Sequence, residues 1–270
     1  MLVPSWNPAS WARGSVGAVA PSGREGGTVT VLRYHRVVVK LSGEALAGPA
    51  GSGMDPASLA QVANEVLSVH DLGVQVAVVV GGGNYFRGRM AKGWGISRAE
   101  ADNIGMLGTV MNALTLRGVL TAKTDADVRV MTAIPMQSVA EPFIRLRALH
   151  HLDRGLIVLL AAGIGQPYVT TDYTAVQRAL ELNADALLVA KRGVDGVYDS
   201  DPHVNPGAVR YTHLTYDEAI AAKVRIMDTS AFVLANEQGL TMHVFDVAAV
   251  GVMRQICEGA ELGTRISVKA

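Results

Sequence analysis

A lysine at the end of a buried apolar run is the first residue with evident chemistry. Arg36-Val-Val-Val-Lys40 passes directly into Leu41, Ser42 and Gly43, so a cation meets a small-residue turn at a strand end, where a phosphate is readily held. A second run, Val74–Val80, ends in Gly81-Gly-Gly-Asn84, whose glycines let backbone N–H groups approach an anion closely, and Arg87 adds a guanidinium three residues on. After Leu156–Ala162 comes Gly163-Ile-Gly-Gln-Pro-Tyr-Val-Thr-Thr-Asp172, with two hydroxyls and a carboxylate at an expected helix N-cap. The run Ala186–Val189 leads to Lys191 and a turn-rich stretch through Asp201 and Pro202, in which Tyr198 offers a ring to a base. Lysine, arginine, backbone amides and a nearby carboxylate are the equipment of phosphoryl transfer, where catalysis is chiefly positioning and charge stabilisation. Neither a GxxxxGK[ST] P-loop nor a GxGxxG turn is present.

These groups need a scaffold that brings four strand ends together. The runs 36–40, 74–80, 128–131, 156–160, 186–189 and 242–245 are continuously apolar, the pattern of strands buried on both faces. Between them, amphipathic stretches predict helices over 55–69, 100–120, 141–151, 174–182, 215–222 and 230–238, the first opened by Asp55 and Pro56. Strand and helix in alternation give parallel βαβ units and an α/β fold, a three-layer α/β/α sandwich with a mainly parallel central sheet, its ligands beyond the carboxyl ends of the strands. Residues 1–33 show neither helical nor strand periodicity and read as a disordered leader, leaving 34–270 as a single domain.

Composition removes several classes of function. The 270 residues carry 24 Lys+Arg against 24 Asp+Glu, so no bulk positive charge favours nucleic acid or a membrane surface, and an anionic ligand must be held locally. A single cysteine, Cys257, rules out an intramolecular disulfide framework and reads as a small buried apolar residue in a reducing, cytoplasmic setting. No run reaches the ~18 consecutive apolar residues of a membrane span. The seven histidines lack metal-ligand spacing, and adjacent His150 and His151 are read as lying at a helix end.

Taken in order, the segments 40–46 (KLSGEAL), 81–88 (GGGNYFRG), 101–114 (ADNIGMLGTVMNAL), 163–172 (GIGQPYVTTD), 194–202 (VDGVYDSDP) and 227–232 (MDTSAF) resemble those of the bacterial uridylate (UMP) kinases of the amino acid kinase family. The resemblance spans roughly residues 34–268. It implies ATP + UMP giving ADP + UDP with Mg²⁺ in pyrimidine nucleotide biosynthesis. It also implies a homohexamer activated by GTP and inhibited by UTP, with a nucleoside monophosphate-binding N-terminal half and an ATP-binding C-terminal half. By that resemblance Lys40 neutralises the transferred phosphoryl, Leu41, Ser42 and Gly43 belong to the ATP-phosphate turn, and Gly83, on the ATP side, lies with Gly82 between the nucleotides. Arg87 binds phosphate. Asp102, a carboxylate near a helix start with no evident cationic partner in sequence, accepts from the UMP ribose; a simple helix cap is its alternative. Ile164, Gly165, Gln166, Pro167, Tyr168, Val169, Thr170 and Thr171 enclose UMP. Asp172 organises Lys40 and the metal-bound phosphates with Asp228 in support, while Lys191, Tyr198 and Asp201 serve ATP. Arg117 and Arg129 are candidates for the GTP site, and Mg²⁺ is held mainly through phosphates, with no direct protein ligand set.

Ile164 and Gln166 stand where such kinases often have Thr and Asn, and Val233 and Arg265 also depart from the pattern. Two alternatives therefore accompany an active UMP kinase. One is a family member acting on a carboxylate or other small acid, which has no evident need of Asp102 and its helix. The other is a paralogue, regulatory or specialised for a modified uridylate.

Overall fold

The computed structural model describes residues 31–202, 204–224 and 226–269. The leader expected over 1–33 falls outside them through Thr30. Arg33 is already tied down: its N–H donates to Cys257 O at 2.8 Å and its guanidinium pairs with Glu261 at 2.7 Å.

The chain runs β1 (Arg36–Leu41), α1 (Gly43–Ala47), a single 3₁₀ turn, α2 (Pro56–His70), β2 (Gln75–Val80), α3 (Gly88–Gly93), α4 (Arg98–Thr121), β3 (Val128–Thr132), β4 (Glu141–Pro142), α5 (Arg145–Asp153) and β5 (Ile157–Ala161). It continues through α6 (Thr171–Glu181), β6 (Ala186–Lys191), β7 (Val197–Tyr198), β8 (Arg210–Tyr211), β9 (His213–Thr215), α7 (Tyr216–Ala221), α8 (Thr229–Gln238), β10 (Thr241–Asp246), α9 (Val252–Cys257) and β11 (Thr264–Ser267). Nine strands form one sheet in the order β4-β3-β5-β2-β1-β6-β10-β11-β9, parallel throughout except for the β10–β11 pair. Helices cover both faces, giving the expected three-layer sandwich. The hairpin β7–β8 stands apart as a second small sheet.

Alternation along the central strands sorts side chains between the layers. Val37, Val39 and Leu41 of β1 face one core with α2, α4 and α9, whereas Val38 faces the other with α6 and α8. The two-residue period then sends Lys40 to the Val38 side, and Lys191 likewise follows Leu187 and Val189 of β6. Both lysines thus emerge under α6 and α8. β1 is flanked by β2 and β6, which lead to opposite halves of the sheet, so its carboxyl end lies at the switch point where a ligand crevice forms.

Three expectations shift. The helix read over 141–151 is instead the edge strand β4 followed by α5, because Pro142 lacks an N–H and fixes its φ, which suits an edge strand. The helix expected from Thr174 begins at Thr171 and is capped by Thr170, whose Oγ1 accepts from Tyr173 N at 3.3 Å. Asp172 is therefore not the cap, and its carboxylate is released for other work. α4 is capped by Ser97, so Asp102 is not a cap either. At 24 residues α4 has the length and hydropathy of a membrane span, yet Ala113, Leu116 and Leu120 are fully buried in the core, as in a core helix of a globular domain.

Candidate active site

Lys40 is only 4% exposed, and its Nζ lies 2.6 Å from Asp172 Oδ1. A buried cation needs such a partner, and the pair is formed by the last turn of a central strand and the first turn of α6. Lys191 lies close by at the end of β6 and donates to Ile226 O. Burial holds its ammonium below the usual lysine range, and the charge of Lys40 adds to that effect, while Asp172, Glu44 and Asp228 oppose it. Two lysines and two aspartates thus share one corner beyond the strand ends.

The glycine turns fit against each other with no space for a side chain at Gly43 or Gly82. A β-carbon on Gly43 would sit 2.4 Å from Asn84 Oδ1 and 2.7 Å from Gly83 N; one on Gly82 would sit 2.4 Å from Gly105 O of α4. A buried amide pair fixes this junction: Asn84 and Asn112 each donate to the other's carbonyl oxygen, at 3.0 and 2.7 Å, and Asn112 also donates to Gly81 O at 2.6 Å. Sequence reasoning missed this pair. Ser42 caps α1 through Ala45 N, whereas Leu41 is fully buried in the apolar core, so only its backbone borders the turn. Arg87 donates to Gly83 O at 3.0 Å and pairs with Glu44 at 2.7 Å, holding a guanidinium at the mouth of the glycine turn.

Gly82, Gly83, Asp102, Val169, Thr170 and Thr171 help to line a pocket of about 150 Å³ between the glycine turn, α4 and the 163–171 loop. Thr109 closes its base, accepting from Ala162 N at 2.7 Å. Asp102 does have a cationic partner, contrary to the sequence reading: Arg98, one turn earlier, reaches both carboxylate oxygens at 2.8 Å, and Tyr168 N donates to Oδ2 at 2.8 Å. The loop turns on left-handed backbone at Gly163, Gly165 and Tyr168, the last at φ +67° without a glycine's freedom. Arg178, buried 3.6 Å over the Phe143 ring, braces it from below by donating to Gly163 O. Ile164, Gly165, Gln166, Pro167 and Tyr168 belong to the loop without lining the pocket.

A larger cleft of about 750 Å³ opens on the other side of Asp172, between Lys191 and helices α7 and α8. Ile220, Val224, Met227 and Phe232 supply its apolar wall and Asp172, Lys191, Lys223 and Asp228 its polar rim. Of these residues Asp172, Lys191 and the 227–232 segment were singled out in the sequence, whereas Ile220, Lys223 and Val224 were not. Tyr198 and Asp201 are not among the lining residues; Tyr198 Oη instead donates to Asp195 Oδ1 at 2.6 Å. Elsewhere, Arg117 and Arg129 share a third cleft, of about 330 Å³, with Gln137 and Glu141. His150 and His151 end α5 as expected, and among the described residues no cluster of three His, Cys, Asp or Glu is placed to cage a metal.

Known proteins share this fold and much of this sequence. The sequence profile of the amino acid kinase family matches residues 35–246. A uridylate kinase of Frankia casuarinae is 60% identical over 237 residues, covering 88% of this chain and 92% of that protein. One from Oenococcus oeni is 48% identical, covering 88% and 98%. Among solved structures, the UMP kinase from Bacillus anthracis superposes with a TM-score of 0.86 at 55% identity over 88% of this chain and 97% of that one. The UMP kinase from Ureaplasma parvum gives 0.81 at 31% identity, covering 87% and 100%. With its central sheet, its glycine-lined strand ends and this similarity along nearly all of its described length, the chain belongs to the amino acid kinase family.

Proposed function

We propose that this protein is a UMP kinase, transferring the γ-phosphoryl of ATP to UMP to give ADP and UDP. The observation that carries the reading is that two pockets meet at the first turn of α6. Thr170 and Thr171 line the smaller one and Asp172, with Lys40 beside it, borders the larger. UMP takes the smaller pocket, its ribose on Asp102 in exchange for the present Tyr168 N–H and Arg98 partners. ATP takes the cleft, its base against the apolar wall of α7 and α8 and its phosphates over Gly43, Gly83 and Lys191. A UMP phosphate oxygen attacks the γ-phosphorus as the bond to the β-phosphate oxygen breaks, and ADP leaves. Lys40 and Arg87 neutralise the charge that the transferred group carries, and Asp172 keeps the Lys40 ammonium aimed at it. The two carboxylates at the cleft, Asp172 and Asp228, suit a Mg²⁺ bound chiefly by nucleotide phosphates, a donor set this ion prefers to an all-protein cage. When bound, the ion supplies charge neutralisation at the phosphate oxygens.

The finer properties follow the same reading. The third cleft, with Arg117 and Arg129 on its walls, suits the GTP activator, and UTP inhibits by competing for the uridine pocket. Leu107 and Met111, about half exposed on one face of α4, suit a subunit contact in a hexamer. The reaction belongs to pyrimidine nucleotide synthesis in the cytoplasm. The test is ADP production from Mg-ATP with UMP, CMP, dUMP and AMP offered separately, with and without GTP. UMP-selective turnover stimulated by GTP is expected. Folded protein that binds ATP but turns over none of the four acceptors would make the chain a non-catalytic or specialised paralogue instead.

A further inference from the structure

Asp228 occupies the N-cap position of α8, yet its carboxylate makes no hydrogen bond to that helix. It reaches across instead, and its Oδ2 accepts from Thr170 Oγ1. An aspartate diverted from the capping bond its position favours needs another reason to point where it does. Thr170 is held on three sides. Its hydroxyl also accepts from Tyr173 N at 3.3 Å, its carbonyl accepts from the buried Thr174 hydroxyl at 2.9 Å, and two residues later Asp172 pairs with Lys40. Thr170 lines the smaller pocket, and Asp228 lines the larger. One hydrogen bond therefore joins a wall of each.

We propose that Thr170 is a positioning residue that couples the two nucleotide pockets through Asp228, so that a nucleotide in one orders a wall of the other. This deepens the reading of the smaller pocket as the UMP site and the larger as the ATP site, and it rests on that reading. A nucleotide that immobilises Thr170 fixes Asp228 and the start of α8, and the second nucleotide then meets a wall already ordered. The cost of ordering is met once, which is positive cooperativity without a large conformational change, and by linkage it acts equally in both directions.

The experiment is calorimetric titration of UMP alone and with saturating Mg²⁺ and the non-hydrolysable β,γ-methylene analogue of ATP. The proteins are the wild type, Thr170→Ser, Thr170→Val, Asp228→Ala and the Thr170→Val/Asp228→Ala double variant, each checked for fold by circular dichroism. In the wild type and Thr170→Ser the analogue is expected to tighten UMP about tenfold, a typical coupling of about 1.4 kcal/mol. In Thr170→Val and in Asp228→Ala the factor falls towards one, and the double variant falls no further. Asp228→Ala separates coupling from helix capping, because it leaves the Thr170 cap intact. If Thr170→Val loses the factor and Asp228→Ala keeps it, the effect belongs to the cap and the proposal is overturned. A wild type that binds both nucleotides independently overturns the coupling alone, whereas one that binds neither overturns the site reading and the coupling with it.

Discussion

At the scale of single residues, the chemistry rests on charges placed where water cannot screen them. Lys40 is buried against Asp172, so in the proposed mechanism its contribution is electrostatic and local, and losing the ammonium would remove one preorganised cation from the transferred group. Lys40→Met is expected to lower kcat by about 10²–10³-fold, measured as ADP production under saturating substrates. It also leaves the Asp172 carboxylate without its partner, so Tm should fall. A second substitution, Asp172→Asn, should recover Tm and leave the activity lost, because a buried ion pair can be replaced more cheaply than it can be halved. Normal turnover by the single variant would remove Lys40 from the mechanism. Asp102 tests the acceptor side. Its carboxylate lines the smaller pocket, so Asp102→Asn is expected to raise KM for UMP roughly tenfold to a hundredfold while KM for ATP stays within a few-fold. Equal effects on both constants would place this carboxylate outside the UMP pocket.

At the scale of elements, function depends on how closely the loops at the strand ends meet α4. Gly82 meets Gly105 and Thr109 backbone with no space for a β-carbon, so Gly82→Ala must push the glycine turn away from the helix that carries Asp102. Activity is expected to drop at least tenfold, with a Tm loss, whereas Gly93→Ala, in open space at the end of the same connection's short helix and lining neither pocket, should leave both near wild type. Parity of the two would show that the junction yields without cost. Much of this frame was legible in the sequence because the central strands are long apolar runs and their ends carry glycine beside charge. Lys40, the Gly81–Gly83 turn and Asp172 could be found from those ends alone. What stayed hidden depends on partners far apart in the chain: the Asn84–Asn112 pair spans 28 residues, and the Thr170–Asp228 bond spans 58. Short elements were hidden for a different reason. α3, α9 and β11 span six, six and four residues, too few for a period to declare itself, and β4 has only two. The cap alternative for Asp102 and the cap expected at Asp172 both fail because the helices start earlier than the sequence pattern indicates, with Ser97 capping five residues before Asp102 and Thr170 two before Asp172.

At the scale of the whole molecule, stability and catalysis occupy different parts of the sheet. The lysines and aspartates of the site sit beyond the carboxyl ends of β1 and β6, whereas a second polar group lies inside the fold beside the antiparallel β10–β11 pair. There His243 is fully buried on β10, with its Nε2 2.8 Å from Tyr34 Oη and with Arg33, Arg265 and Glu261 around it. Burial, assisted by the charges of Arg33 and Arg265 and opposed by Glu261, holds the imidazole at about 4, below its ordinary 6.5. The unfolded chain therefore binds a proton in the interval where the folded chain does not. Stability from this group is complete above pH 6.5 and is lost as pH falls towards 4, by roughly 3 kcal/mol across the window. The carboxylates of Asp55, Glu218 and Glu261 are held below their usual range, so their losses begin only at the ordinary carboxylate values, at the acid end of this window, and leave its upper part to His243. His243→Gln, which keeps a polar partner for Tyr34 but does not titrate, is expected to flatten the dependence of urea-unfolding stability between pH 6.5 and 4. Its kcat at pH 7.5 should match the wild type, since the group lies apart from both nucleotide pockets. An unchanged pH slope in the variant would mean that His243 is protonated as readily in the fold as outside it, and that the acid sensitivity of the molecule resides in its carboxylates.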